Sequence, residues 1–168
     1  DWARWEDAIR VENESLDSLC VFKHHVTQRA AREDWGVTTT PIPLRMIFKV
    51  NYETDGKTIA KYKARRILVG HKHYAKPGVH FGAVWAPTPE FTISRLVEAI
   101  AAQRRWHRIA YDIAVAFVQA ALKRGQYILV RYEKELITFT AEGLELFAVL
   151  LRPLYGLGSA GRFFVEER

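Results

Sequence analysis

Leu44-Arg45-Met46-Ile47-Phe48-Lys49-Val50-Asn51-Tyr52, then Asp55-Gly56, then Thr58-Ile59-Ala60-Lys61-Tyr62-Lys63-Ala64-Arg65-Arg66-Ile67-Leu68-Val69, reads as two strands joined by a tight turn. Both arms are rich in β-branched and aromatic residues, and Asp-Gly favours the positive φ that a hairpin turn needs. The second arm is unusual. Lys61, Lys63 and Arg65 share one face at period two, while Tyr62 and Ala64 point the other way. From Gly56 to Pro89 there are seven Lys and Arg residues and no acid. Such a face either meets phosphate or is a solvated hairpin face whose lysines guard a sheet edge.

Working outward, residues 2–16 show Trp5, Ala8, Ile9 and Leu16 near helical spacing, with acids on the other side. Residues 33–43 contain Gly36, three threonines, Pro41 and Pro43, and read as a loop. After the hairpin, residues 70–82 form a loop rich in His, Lys and Gly. Thr88-Pro89-Glu90 is a helix start, and Ile93, Leu96, Val97, Ile100 and Ala101 make one apolar stripe after it. A strand is expected over His107–Ile113, a short helix over Ala114–Leu122 and a strand over Tyr127–Tyr132, with Lys134–Thr140 as its hairpin partner. The pattern is an α+β domain of antiparallel hairpins packed with helices.

The chain has 168 residues and net charge +6, which fits one domain with an anionic partner, nucleic acid first. Cys20 is the only cysteine, so no intrachain disulfide can form and a reducing compartment is expected. No apolar run approaches a membrane span. The expected location is intracellular, in a cytoplasmic particle or the nucleus, without secretion. The chain opens on Asp1 and its one methionine is Met46, which suggests an internal piece of a longer protein.

Asp112 ends an apolar strand and precedes small residues. It can be a divalent-metal ligand, or the N-cap of a helix starting at Ala114. Phe117 is a core aromatic on pattern alone. It becomes a floor under a sugar if Asp112 holds a metal and nucleotide. His71, His73 and His80 lack a familiar zinc spacing, so phosphate or solvent contacts are the better reading. No P-loop, dinucleotide fingerprint or nucleophile elbow occurs.

Taken in order, these landmarks resemble the reverse transcriptase of copia-type LTR retrotransposons. The Trp-x-x-Ala helix is Trp5-Glu6-Asp7-Ala8, and the following strand is Ile47-Phe48-Lys49-Val50 before Asp55-Gly56. Tyr62-Lys63-Ala64-Arg65 with Gly70 matches the family's Tyr-Lys-Ala-Arg stretch. Gly78-Val79-His80-Phe81, Trp85-Ala86-Pro87 and Ile93-Ser94-Arg95 follow in the family's order. Asp112 to Phe117 matches Asp-Val-x-x-Ala-Phe, and Leu154-Tyr155-Gly156-Leu157 matches Leu-Tyr-Gly-Leu.

The resemblance implies a right-hand polymerase fold, of which residues 1–168 form a single partial domain. Residues to about 106 would be fingers-like, and about 107–168 the start of the palm and adjoining fingers. It implies RNA-directed DNA synthesis with two Mg²⁺ ions. Template–primer, dNTP and the remainder of a Pol polyprotein would be the partners. By carry-over, Asp112 is the first metal-binding carboxylate and Phe117 the aromatic that excludes a ribose 2′-hydroxyl. Arg65, with Lys61 or Lys63, grips the triphosphate.

The chain departs from the family in three places. Val118-Gln119-Ala120 stands where Leu-x-Gly is usual. Gly158-Ser159-Ala160-Gly161-Arg162 replaces Lys-Gln-Ala-Pro-Arg, which puts Ser159 at a nucleotide-contacting Gln. The Tyr-x-Asp-Asp carboxylates do not occur in these residues. The expectation is a polymerase fragment that is inactive by itself. The alternatives are a non-catalytic basic nucleic-acid-binding module or the inert product of a decayed element.

Overall fold

The computed structural model describes residues 2–70, 74–82, 84, 90–109, 113 and 115–166. The chain runs through helix α1 (Trp2–Ser18), strand β1 (Phe22–Val26), helix α2 (Gln28–Trp35), and strands β2 (Ile42–Tyr52) and β3 (Ile59–Leu68). Helices α3 (Phe91–Gln103) and α4 (Ala116–Gln119) follow, then strand β4 (Ile128–Arg131), a 3₁₀ turn at Lys134–Leu136, strand β5 (Phe147–Leu150) and helix α5 (Ala160–Glu166). The mixed α+β class expected from the sequence is the one observed.

One five-stranded sheet has the order β1-β5-β4-β2-β3. Its pairs are antiparallel except for a short parallel contact, where Ile42 faces Val130 and Pro43 faces Arg131. Beyond that contact β2 and β3 pair only with each other, so the hairpin projects from the sheet as a two-stranded arm. β4 and β5 anchor the base. Ile128, Val130, Ala148 and Leu150 join one core with Leu16, Ile42, Leu68, Val118 and Leu154. Leu129, Phe147 and Val149 join a second core under α2. Burial on both faces explains why β5 is a plain apolar run without alternation. The hairpin partner of β4 is therefore β5, and Lys134–Thr140 is corrected to a 3₁₀ turn and a coil with one isolated bridge, Phe139 to Glu145.

α2 is absent from the sequence reading, which began a loop at residue 33. The Thr27 hydroxyl accepts from the Ala30 N–H, and Gly36 closes the helix in the left-handed region. The run between these caps is eight residues long and mostly polar, too short for its periodicity to stand out from the loop that follows. α4 is shorter than expected and starts after Val115, which has positive φ and makes no side-chain cap. Asp112 stands four residues before the first helical residue, too far upstream to be its N-cap. His107–Ile109 form no strand; the rest of that expected strand, apart from Ile113, lies outside the described residues.

The hairpin has two different faces. On one, Trp5 of α1 meets the Phe48 ring at 5.2 Å and the Tyr62 ring at 4.6 Å, both edge-on. The Glu12 carboxylate accepts the Arg66 N–H at 3.0 Å, so α1 shields part of the exposed β3 edge. Arg66 points to this side too, is buried, and meets Glu133 at 3.4 Å. The opposite face carries Lys63 and Arg65.

α3 has the expected stripe, but Ile93, Leu96 and Val97 are exposed. No helix among the described residues is long and apolar enough to cross a membrane.

Candidate nucleotide and nucleic-acid groove

Register fixes the chemistry of the second hairpin face. Lys63 stands opposite Lys49, Arg65 opposite Ile47 and Lys61 opposite Asn51. Directly opposed lysines repel, so the Lys49–Lys63 pair costs stability unless an anion relieves it. Lys49, Asn51, Lys63, Arg65 and Tyr155, with Ile47 and Ile67, line a groove of about 360 Å³. Among the described residues no acid forms an ion pair with Lys49, Lys63 or Arg65. The groove is thus uniformly basic with an apolar floor. A larger cleft of about 560 Å³ lies between α1 and β3, and Lys61 and Lys63 both line it. Asp7 and Glu12 share that cleft with Arg4, so its charge is mixed and it is the poorer anion site.

Tyr155 closes the groove, and the chain has to be drawn tight to put it there. The Leu68 N–H donates to the Tyr155 carbonyl at 2.8 Å, and the Gly70 N–H donates to the Leu68 carbonyl at 2.9 Å. A Cβ on Gly156 would lie 2.1 Å from the Leu68 oxygen, and one on Gly70 would lie 2.0 Å from the Gly156 oxygen. Gly156 also has φ +90°, which only glycine adopts without strain. Two glycines far apart in sequence let the backbones touch. The Tyr-Gly-Leu turn is thereby docked on the end of the basic strand.

The docking brings three aromatic and cationic groups into line. The Arg65 guanidinium lies over the Tyr155 ring, 5.0 Å from its centroid. The Tyr155 ring meets the Phe117 ring edge-on at 5.4 Å and 65°. Phe117 is half-buried on α4 and packs against the larger core. Arg65 and Phe117 are therefore linked through Tyr155, a motif residue without a site role in the sequence analysis, and Lys63 lines the same groove. Lys49 was missed in the same way, because its pairing with Lys63 depends on register.

The other candidates lie elsewhere. Ser159 is 1% exposed and does not line the groove; its hydroxyl has no hydrogen-bond partner among the described residues. His80 is buried, with Nδ1 accepting from the Lys76 N–H at 3.1 Å and Nε2 donating to the Thr40 carbonyl at 3.1 Å. Both ring nitrogens are used, so His80 is a structural tie of its loop. His71, His73 and Asp112 lie outside the described residues. Among the described residues no three His, Cys, Asp or Glu side chains are grouped to hold a metal ion.

A family model described as reverse transcriptase (RNA-dependent DNA polymerase) matches residues 34–167. The chain belongs to this reverse transcriptase family. The match begins inside α2 and takes in the whole basic hairpin, Tyr155 and Phe117, so the groove of this reverse transcriptase domain is built by matched residues. α1, which backs the hairpin, precedes the match. No curated protein matches the chain, and no solved structure does. Reverse transcriptases generally use Mg²⁺; in this chain the described residues supply basic and aromatic groups without a carboxylate cluster.

Proposed function

We propose that the chain is the fingers and early palm of a copia-type reverse transcriptase, and that its basic groove grips phosphate. The observation that carries this reading is the convergence of Lys49, Lys63 and Arg65, free of acids, on Tyr155 and so on Phe117. Arg65 presents a planar fork suited to two phosphate oxygens, and the lysines act as point charges. The anion is the triphosphate of an incoming dNTP or the backbone of the template–primer. Phe117 does not line the groove and packs behind Tyr155, so the sugar-facing role that the family resemblance gives it would act at the far side of that ring. Ser159 can serve the nucleotide only through a rearrangement that uncovers its hydroxyl.

Asp112 is the candidate first metal ligand. Two bound Mg²⁺ ions would activate the primer 3′-hydroxyl and stabilise the leaving pyrophosphate. They need further carboxylates, and no Tyr-x-Asp-Asp occurs in residues 1–168. The described residues therefore support binding and orientation, and nucleotidyl transfer belongs to a protein that also carries those carboxylates. Such a protein, as part of a Pol polyprotein, would act in a cytoplasmic particle or the nucleus.

A non-catalytic nucleic-acid-binding module is the second reading, favoured by the basic groove standing among described residues that form no carboxylate cluster. Both readings are tested by anisotropy with a labelled template–primer. Changing Lys49, Lys63 and Arg65 together to Ala should remove most of the affinity. Asp112→Ala distinguishes the two. It leaves binding intact in a module, and it weakens Mg²⁺-dependent dNTP binding in a polymerase site.

A further inference from the structure

We propose that Tyr155 is the positioning residue of the basic groove, holding the Arg65 guanidinium on a neutral aromatic face so that its charge stays available to an anion. The inference rests on the phosphate-gripping reading of the groove and adds the residue that prepares it.

Arg65 stacks on a ring without a carboxylate partner among the described residues, as Arg4, Arg95 and Arg104 do, but it is the one of these that lines the basic groove. Arg10, Arg29, Arg66, Arg108, Arg131 and Arg162 each meet a carboxylate. Arg65 meets a ring, at 5.0 Å. A guanidinium paired with a carboxylate has already spent its fork; one stacked on a ring keeps its N–H edge free in the plane. The stack also restricts a long, entropically costly side chain before any ligand arrives.

The ring itself is held from two sides. Its backbone is tied to Leu68 by a 2.8 Å hydrogen bond, in a turn that tolerates no Cβ at Gly156. Its edge abuts Phe117 at 5.4 Å. Tyr155 therefore acts through Arg65, and its effect on anion binding should vanish when Arg65 is removed. A residue that merely packs would affect binding and stability whether or not Arg65 were present.

The test is calorimetric titration of the full chain with inorganic triphosphate at low salt. Four proteins form a cycle: unchanged, Tyr155→Leu, Arg65→Ala and the double variant. Leu keeps an apolar side chain against Phe117 and removes the π face. Tyr155→Leu should weaken binding about five-fold, the size of one cation–π contact. The double variant should bind no more weakly than Arg65→Ala alone, and Tyr155→Phe should bind like the unchanged chain. Urea midpoints of all variants show whether the fold has moved. Additive losses, or unchanged affinity in Tyr155→Leu, overturn the inference while leaving the groove in place. Unchanged affinity in Arg65→Ala overturns the phosphate-gripping role of Arg65 and the inference with it.

Discussion

Gly156 combines a tight backbone contact with a positive φ. A Cβ there would meet a backbone oxygen at 2.1 Å, and backbone cannot swing aside as a flexible side chain can. Gly156→Ala should lower stability by about 2–4 kcal/mol, combining strain at positive φ with the clash. Loss of the urea midpoint by less than a tenth would mean that the turn is not docked as described. Asp55 shows a gentler residue-scale effect. Its carboxylate accepts from the Thr58 hydroxyl and from the Lys57 and Thr58 N–H groups, and these bonds lower its pKa. A lowered carboxylate stabilises the fold above its unfolded pKa, and that stability is lost as pH falls through the folded value. Acid titration of stability should therefore show a step near and below pH ~4 that is absent in Asp55→Asn. At this scale the sequence was half legible. Asp55-Gly56 announces its turn because the information is local. The partners of Tyr155 and Gly156 lie on β3, and spacing along the chain says nothing of a contact made across so many residues. Arg66, next to Arg65 in sequence, points to the other face and meets Glu133.

Elements were legible where periodicity was long. α1 and the β2–β3 hairpin were read almost to their ends because each repeats its pattern over many residues. α2 was missed and β5 misplaced for different reasons: α2 is amphipathic but only eight residues long, and β5 is four residues buried on both faces with no alternation to read. The correction is testable. Leu150→Ala, in fully buried β5, should cost about 2–5 kcal/mol, and Leu136→Ala, in the exposed segment first taken as the hairpin partner, about 0.5 kcal/mol or less. Equal costs would put the pairing of β4 in doubt. α3 offers an element-scale contrast. Its stripe was read correctly, but Ile93, Leu96 and Val97 face solvent. Exposed apolar stripes bind apolar dyes and promote association. Leu96→Lys with Val97→Lys should lower dye binding and leave the melting temperature within a few degrees, because no packed contact is lost.

At the scale of the whole molecule, net charge +6 suggested an anionic partner without saying where it binds. The fold sorts the charge. Arg10, Arg29 and Arg131 meet carboxylates, whereas the hairpin face gathers Lys49, Lys63 and Arg65 beside a docked tyrosine with no acid ion-paired to them among the described residues. The phosphate-gripping role proposed for that face accords with membership in the reverse transcriptase family. The direct measurement is the salt dependence of template–primer binding by the unchanged chain and by Lys49→Ala/Lys63→Ala/Arg65→Ala. Each phosphate contact contributes about 0.7–0.9 to the slope of log K against log salt. Removing three contacts should flatten that slope by about 2–2.7 and weaken binding at every salt concentration. An unchanged slope with unchanged affinity would contradict the groove as the proposed site for nucleic acid in this reverse transcriptase domain.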